Sequence, residues 1–153
     1  GEGPQKAAEA AREFPRFLSR IRVLVVDDAA DSREMLGLIL EKAGAEVRLA
    51  SSAKEALKLV ESWRPGLLIA DIGMPDEDGY ALIQQIRALK PQDGGMVPAL
   101  AITGYASRQD RLQSILAGFQ DHMAKPVEPD ELIAVAADLV ATANKARRQF
   151  LTS

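Results

Sequence analysis

Short apolar runs alternate with amphipathic stretches from about residue 20 to the end of this chain. Ile21 to Val26 is rich in β-branched residues and stops abruptly at Asp27-Asp28. Asp31 then opens a stretch with Met35, Leu36, Ile39 and Leu40 on one helical face, and Gly44 stands where a helix-ending glycine belongs. Val47 to Ala50 reads as a short strand. Ser52 with Glu55 has capping-box spacing, ahead of a helix carrying Ala56, Leu57 and Val60. The same cycle recurs three times. Leu67 to Ala70 meets Asp71, Asp76 to Gly79 reads as a turn, and Tyr80 to Leu89 turns Leu82, Ile83 and Ile86 inward. Val97 to Ile102 meets Thr103, and Ser107 with Asp110 caps a helix to Leu116. Phe119 to Ala124 meets Lys125-Pro126, and Pro129 opens a last helix whose apolar side runs from Leu132 to Val140.

Five strands alternating with five helices predict an α/β fold with a parallel sheet covered on both faces, because crossover helices pack on either side. The strands read as continuous apolar runs, as burial on both faces demands. Residues 1–19 differ. Gln5 to Glu13 is helix-prone, Pro15 interrupts it, and Phe14, Phe17 and Leu18 are its large apolar residues. This segment is expected to be a linker or accessory helix outside the core. Residues 20–143 form the domain, and 144–153 a solvated helix end or tail.

Composition narrows the chemistry. The chain has 153 residues, no cysteine and one histidine, His122. A disulfide scaffold, a thiolate metal site and a cysteine nucleophile are excluded, and so is a multi-histidine metal site. A net charge of −3 offers no basic excess for nucleic acid. No apolar run approaches membrane-spanning length, so no membrane contact is expected and the chain reads as soluble and cytoplasmic. Position 1 is Gly rather than Met, which suggests a processed or excised segment.

The polar residues fall in one kind of place. Four of the five predicted strands end at their carboxyl edge in Asp27 and Asp28, Asp71, Thr103 or Lys125. Open α/β sheets bind ligands outside these edges, so residues scattered over about a hundred positions converge. Each has an ordinary reading by itself: a strand-end Asp is often a turn or cap residue, a Thr is strand-prone, and a Lys before Pro is a solvated charge. Coincident polar endings on four strands favour a shared site. Three packed carboxylates repel, and a divalent cation with an all-oxygen preference, Mg²⁺ above all and Mn²⁺ as a substitute, resolves that repulsion. A carboxylate there can act as a nucleophile towards phosphorus. Metal and Lys125 would neutralise charge, and Thr103 would donate to a phosphoryl oxygen. The backbone of Ile72-Gly73-Met74 lies beside Asp71 and offers carbonyl and N–H groups.

These segments resemble the receiver domain of two-component response regulators. The matching stretches are VLVVDD (Val23–Asp28), LLIADIGMPDEDGY (Leu67–Tyr80), ALAITGYA (Ala99–Ala106) and GFQDHMAKPVEPDEL (Gly118–Leu132). The resemblance implies a flavodoxin-like fold with strand order 2-1-3-4-5. It implies phosphorylation of Asp71 from a phosphohistidine. Mg²⁺ would be held by Asp28, Asp71 and the Gly73 carbonyl, with Asp27 acting mainly through water. Thr103 and Lys125 would contact the phosphoryl group, and the Lys125-Pro126 peptide would be cis. In one departure, receivers usually carry Tyr or Phe three residues before the lysine, where this chain has His122. His122 either stands as an ordinary strand residue or replaces the switch aromatic, together with Thr103, and makes the switch sensitive to pH.

GYA after Ile102-Thr103 and Gly-Phe-x-x-His before Lys-Pro look most like receivers attached to hybrid sensor kinases. The expected partner is a histidine kinase or a histidine phosphotransfer domain, with a homodimer as a further option. No phosphodonor helix, ATP site or DNA-binding region is recognised, so output would pass through a domain removed from this chain or through surface contacts of the last two helices and last strand, near Tyr105, Ala106, His122 and Met123. Two other functions fit less well. A haloacid-dehalogenase-type phosphohydrolase needs an acid two residues after its nucleophile, where Gly73 stands. A docking-only pseudo-receiver has no use for the full polar set. The expected chemistry is self-phosphorylation and autodephosphorylation, with no external substrate turned over.

Overall fold

The computed structural model describes residues 17–73, 79–104 and 108–152, with side chains left out at 108–110 and 150–152. Five strands follow in order: β1 (Arg22–Val26), β2 (Glu46–Ala50), β3 (Leu67–Asp71), β4 (Ala99–Thr103) and β5 (Asp121–Ala124). They form one parallel sheet in the order β2-β1-β3-β4-β5. Among the described residues there are five α-helices: α1 (Ala30–Lys42), α2 (Ala53–Trp63), α3 (Gly79–Arg87), α4 (Arg108–Ala117) and α5 (Pro129–Thr152). This is the flavodoxin-like order expected from the resemblance.

Alternation along the central strands splits the core in two, since successive side chains leave opposite faces. Val23, Val25, Leu67, Ile69, Leu100 and Ile102 pack against α1 and α5. Leu24, Val26, Leu68, Ala70, Ala99 and Ala101 pack against α2 and α3. Every residue of β3 and β4 is buried, whereas the edge strands β2 and β5 are partly exposed. Both faces of β3 and β4 are thus desolvated, at about 1.5–3 kcal/mol per buried aliphatic side chain. That rigid centre fixes where their last residues, Asp71 and Thr103, sit.

Local signals match closely in places. Gly44 adopts φ 98° after α1, the left-handed geometry that glycine supplies without strain. Ser52 accepts from the Glu55 N–H at 3.2 Å, but the Glu55 carboxylate takes the Ser51 hydroxyl instead of closing the box. Gly79 is buried where α3 leaves β3; a Cβ there would stand 2.7 Å from Ile72 Cγ2 and 2.9 Å from Ile72 Cα.

Several boundaries differ from expectation. α1 begins at Ala30, ahead of Asp31, which occupies its first turn. β4 begins at Ala99, not Val97: the Val97 N–H bonds the Gly94 carbonyl, and Pro98 has no N–H to give. β5 begins at Asp121, because the Phe119 N–H still closes the end of α4 on the Ser114 carbonyl. α5 runs unbroken past residue 143 to Thr152, although its buried face ends near Val140. The expectation that residues 1–19 lie outside the core fails at Leu18. Its side chain is fully buried beside α1 and α5, and its N–H bonds the Ala43 carbonyl at 3.0 Å. Residues 1–16, Met74 and Pro75, the 76–78 part of the Asp76–Gly79 turn, the Ser107 cap, Tyr105 and Ala106 lie outside the described residues. The side chain of Asp110 is outside them too.

Candidate functional site

The carboxyl edges of β1, β3, β4 and the segment after β5 meet at one place. Asp27 follows β1 directly and is fully buried, and its N–H bonds the Ala50 carbonyl of β2 at 3.1 Å. The main chain thereby fixes Asp27 across two strands. Its Oδ1 accepts from the Ala29 N–H at 2.9 Å, forming an Asx turn that starts α1. The ordinary reading of Asp27 as a turn residue therefore holds for one of its oxygens.

Asp71 repeats the arrangement. It is the last residue of β3, is 7% exposed, and its Oδ1 accepts from the Gly73 N–H at 2.8 Å. The next main-chain group, Ile72 N–H, bonds the Ile102 carbonyl at 3.0 Å and ties the turn to β4. Thr103 closes β4 and is buried, and its carbonyl accepts from the Lys125 N–H at 2.8 Å. That bond prolongs the β4–β5 ladder and sets Lys125 beside the strand end. The Lys125-Pro126 peptide is cis.

Lys125 reaches back across the site. Its Nζ donates to Asp71 Oδ2 at 3.1 Å and lies 3.7 Å from Asp27 Oδ2. Asp28 is exposed, and one carboxylate oxygen from each of Asp27, Asp28 and Asp71 lies within 4.8 Å of the others. Three acids thus face one ammonium, leaving an excess of negative charge. Asp27 Oδ2 is buried and accepts no hydrogen bond. A buried carboxylate oxygen with an ammonium near it but no hydrogen bond is only partly compensated, and a hard cation would remove the remaining cost. The donor set is all oxygen, so the residues fit Mg²⁺ or Mn²⁺.

Of the residues singled out from sequence, Asp27, Asp28, Asp71 and Lys125 are brought together here. Gly73 joins them through its N–H, and Thr103 through its carbonyl bond to the Lys125 N–H. His122 stands apart. It is half-buried in β5, opposite Ala101, two residues before the Ala124 that pairs with Thr103. That spacing sets it about 6–7 Å along the strand from the level of the carboxylates. One residue escaped sequence reasoning. Arg33, in α1, donates from Nη1 to the Asp27 carbonyl oxygen at 2.8 Å. A side chain reaching a main-chain carbonyl six residues earlier leaves no periodic signal; the only hint is a cation one turn into the helix behind two acids.

The family model for the response regulator receiver domain matches residues 23–137. The chain is 46% identical over 116 residues to an uncharacterized 14.6 kDa protein of Leptolyngbya boryana, covering 76% of this chain and 87% of that one. A CheY-like receiver domain protein from Methanospirillum hungatei superposes with TM-score 0.75 at 31% identity, covering 84% of this chain and 99% of that one. The receiver domain of a Pseudomonas aeruginosa sensor histidine kinase superposes with TM-score 0.73 at 28% identity, covering 80% of this chain and 99% of its own. That structure holds a magnesium ion coordinated in its active-site cleft. The chain spans about half the length of the PhoP-type transcriptional regulators it also matches.

Proposed function

The chain belongs to the response regulator receiver family of two-component signalling, and from that premise we propose that it is a phosphoacceptor switched by phosphorylation of Asp71. The carrying observation is the pairing of Asp71 Oδ2 with Lys125 beside two further carboxylates. The donor is a phosphohistidine on a histidine kinase or a histidine phosphotransfer domain.

The chain's own groups divide the work. Gly73 N–H holds Asp71 Oδ1 and so fixes the carboxylate plane. Asp71 attacks phosphorus as the nucleophile. An O–P bond forms, the P–N bond breaks, and the donor imidazole leaves with the electron pair. The Lys125 ammonium stays within reach of both the carboxylate and the incoming phosphoryl oxygens, and Thr103 donates its hydroxyl to one of them. Asp28, Asp71 and the Gly73 carbonyl would hold Mg²⁺, with Asp27 acting mainly through water. When bound, the cation neutralises phosphoryl charge. Water later hydrolyses the acyl phosphate, and no external substrate is turned over.

Phosphorylation is read out through α4, β5 and α5. The exposed Leu112, Ile115 and Leu116 form an apolar stripe on α4 that supports contact with a partner or a second copy. Thr103 and His122 carry the switch, and His122→Phe should abolish any pH dependence of phosphorylation-linked partner affinity between about pH 6 and 8. Unchanged pH dependence in that variant would remove His122 from the switch. Among the described residues no helix is long and apolar enough to cross a membrane. Net charge −3 supports a role without nucleic acid contact, and the proposed location is the cytoplasm.

Incubation with acetyl phosphate and Mg²⁺, followed by intact mass measurement, tests the proposal. One phosphoryl group should add to the wild type and none to Asp71→Asn. No adduct at millimolar Mg²⁺ would point to a docking-only module, and continuous phosphate release from varied monoesters to a hydrolase.

A further inference from the structure

Arg33 lies outside the carboxylate set, yet it holds the peptide that joins two of its members. Its Nη1 donates to the Asp27 carbonyl at 2.8 Å, and its own N–H bonds the Ala29 carbonyl at 2.9 Å. The Asp27–Asp28 peptide is planar, so a bond on its carbonyl oxygen also orients the Asp28 nitrogen and the origin of the Asp28 side chain. Asp27 has other restraints: its N–H is held by β2 and its Oδ1 by Ala29. Asp28 is exposed, and among the described residues nothing donates a hydrogen bond to its carboxylate. Arg33 also forms no ion pair with any of the three carboxylates among the described residues; Lys125 alone does. A guanidinium present to neutralise the cluster would sit on a carboxylate. This one is committed to a carbonyl.

We propose that Arg33 is a positioning residue for the acidic cluster, gripping the Asp27–Asp28 peptide so that the Asp28 carboxylate is aimed before a divalent cation arrives. The inference rests on the reading that the cluster holds Mg²⁺. It makes a prediction opposite in sign to plain electrostatics. Removing a positive charge beside an anionic site should tighten cation binding. Removing the positioning bond should weaken it, as loss of supporting partners around metal ligands commonly does by about tenfold or more.

The test uses the full chain, calorimetric titration with Mg²⁺ alone, and amide exchange of Asp28 and Ala29 without metal. Arg33→Met should bind Mg²⁺ roughly tenfold more weakly than wild type and show faster exchange at both amides. Arg33→Gln keeps a donor without the charge, and should restore most of the affinity and the protection. Equal or tighter binding by Arg33→Met, or equal weakening in both variants with exchange unchanged, overturns the proposal. Wild-type protein that binds no Mg²⁺ would overturn the metal reading itself, and this inference with it, whatever the variants do.

Discussion

Asp27 and Asp71 make the same turn at the ends of adjacent strands. Each gives its Oδ1 to the N–H two residues on, at 2.9 Å to Ala29 and 2.8 Å to Gly73. Each thereby leaves its Oδ2 facing Lys125, at 3.7 Å and 3.1 Å. One oxygen of each carboxylate builds the loop, and the other is available for chemistry. A turn role and a role in the proposed chemistry are therefore compatible in the same side chain.

A bound cation would compete with Lys125 for those two oxygens. The ammonium is partly exposed while both carboxylates are buried, and Lys125→Met should bind Mg²⁺ roughly tenfold tighter, about 1.4 kcal/mol, while accepting phosphoryl more slowly. Titration of both proteins at matched ionic strength checks this. Unchanged or weaker binding in the variant would mean that the ammonium does not compete.

Cation binding should stabilise the fold. Mg²⁺ at a hundredfold excess over its dissociation constant adds about 2.7 kcal/mol. For a domain of this size the thermal midpoint then rises by roughly 8 °C. Asp28→Asn should lose most of that rise, because a ligand is gone. Scanning calorimetry with and without chelator measures it, and a midpoint insensitive to Mg²⁺ would speak against the site.

Leu18 belongs to the core although it lies in the flank. Leu18→Ala removes a fully buried side chain from the core cluster that α1 and α5 share, and should cost about 2–5 kcal/mol. Phe17→Ala, at a residue 64% exposed, should change stability by less than about 0.5 kcal/mol. Denaturant unfolding of the pair decides whether the domain begins before residue 18.

Arg87 ties three segments together. Its guanidinium donates to the Gly118 carbonyl, the Gly95 carbonyl and Gln120 Oε1, which also takes the Ala99 N–H. Burial lowers its pKa from the ordinary arginine value, yet a guanidinium remains charged near neutrality. Arg87→Met should therefore destabilise by about 2–4 kcal/mol, with little change between about pH 6 and 9. A loss under about 0.5 kcal/mol in urea unfolding would show these bonds to be dispensable.

Much of this was legible in sequence because parallel strands buried on both faces leave no polar residue inside them. The first polar residue after each such run marks the sheet edge, and Asp27, Asp71 and Thr103 are found by that rule; Lys125 follows the partly exposed edge strand β5, which carries Asp121 and His122 inside it. Gly44 was legible because only a residue tolerant of positive φ ends a helix that way. Leu18 was not legible: a single leucine in a Pro-interrupted flank has no period, and its burial depends on a tertiary main-chain bond to Ala43 after α1. Arg33 and Arg87 were missed for a related reason. Both bond main-chain carbonyls brought near by tertiary packing, and a carbonyl carries no residue identity to read.

The central claim is that Asp71 is the phosphoacceptor. The most direct measurement treats the full chain with acetyl phosphate and Mg²⁺, reduces the acyl phosphate with borohydride, and locates the product by peptide mass. The prediction is homoserine at position 71 alone, dependent on Mg²⁺ and absent from unphosphorylated protein. Homoserine at position 27 or 28, a phosphoryl group on His122, or no modified peptide at all would contradict it.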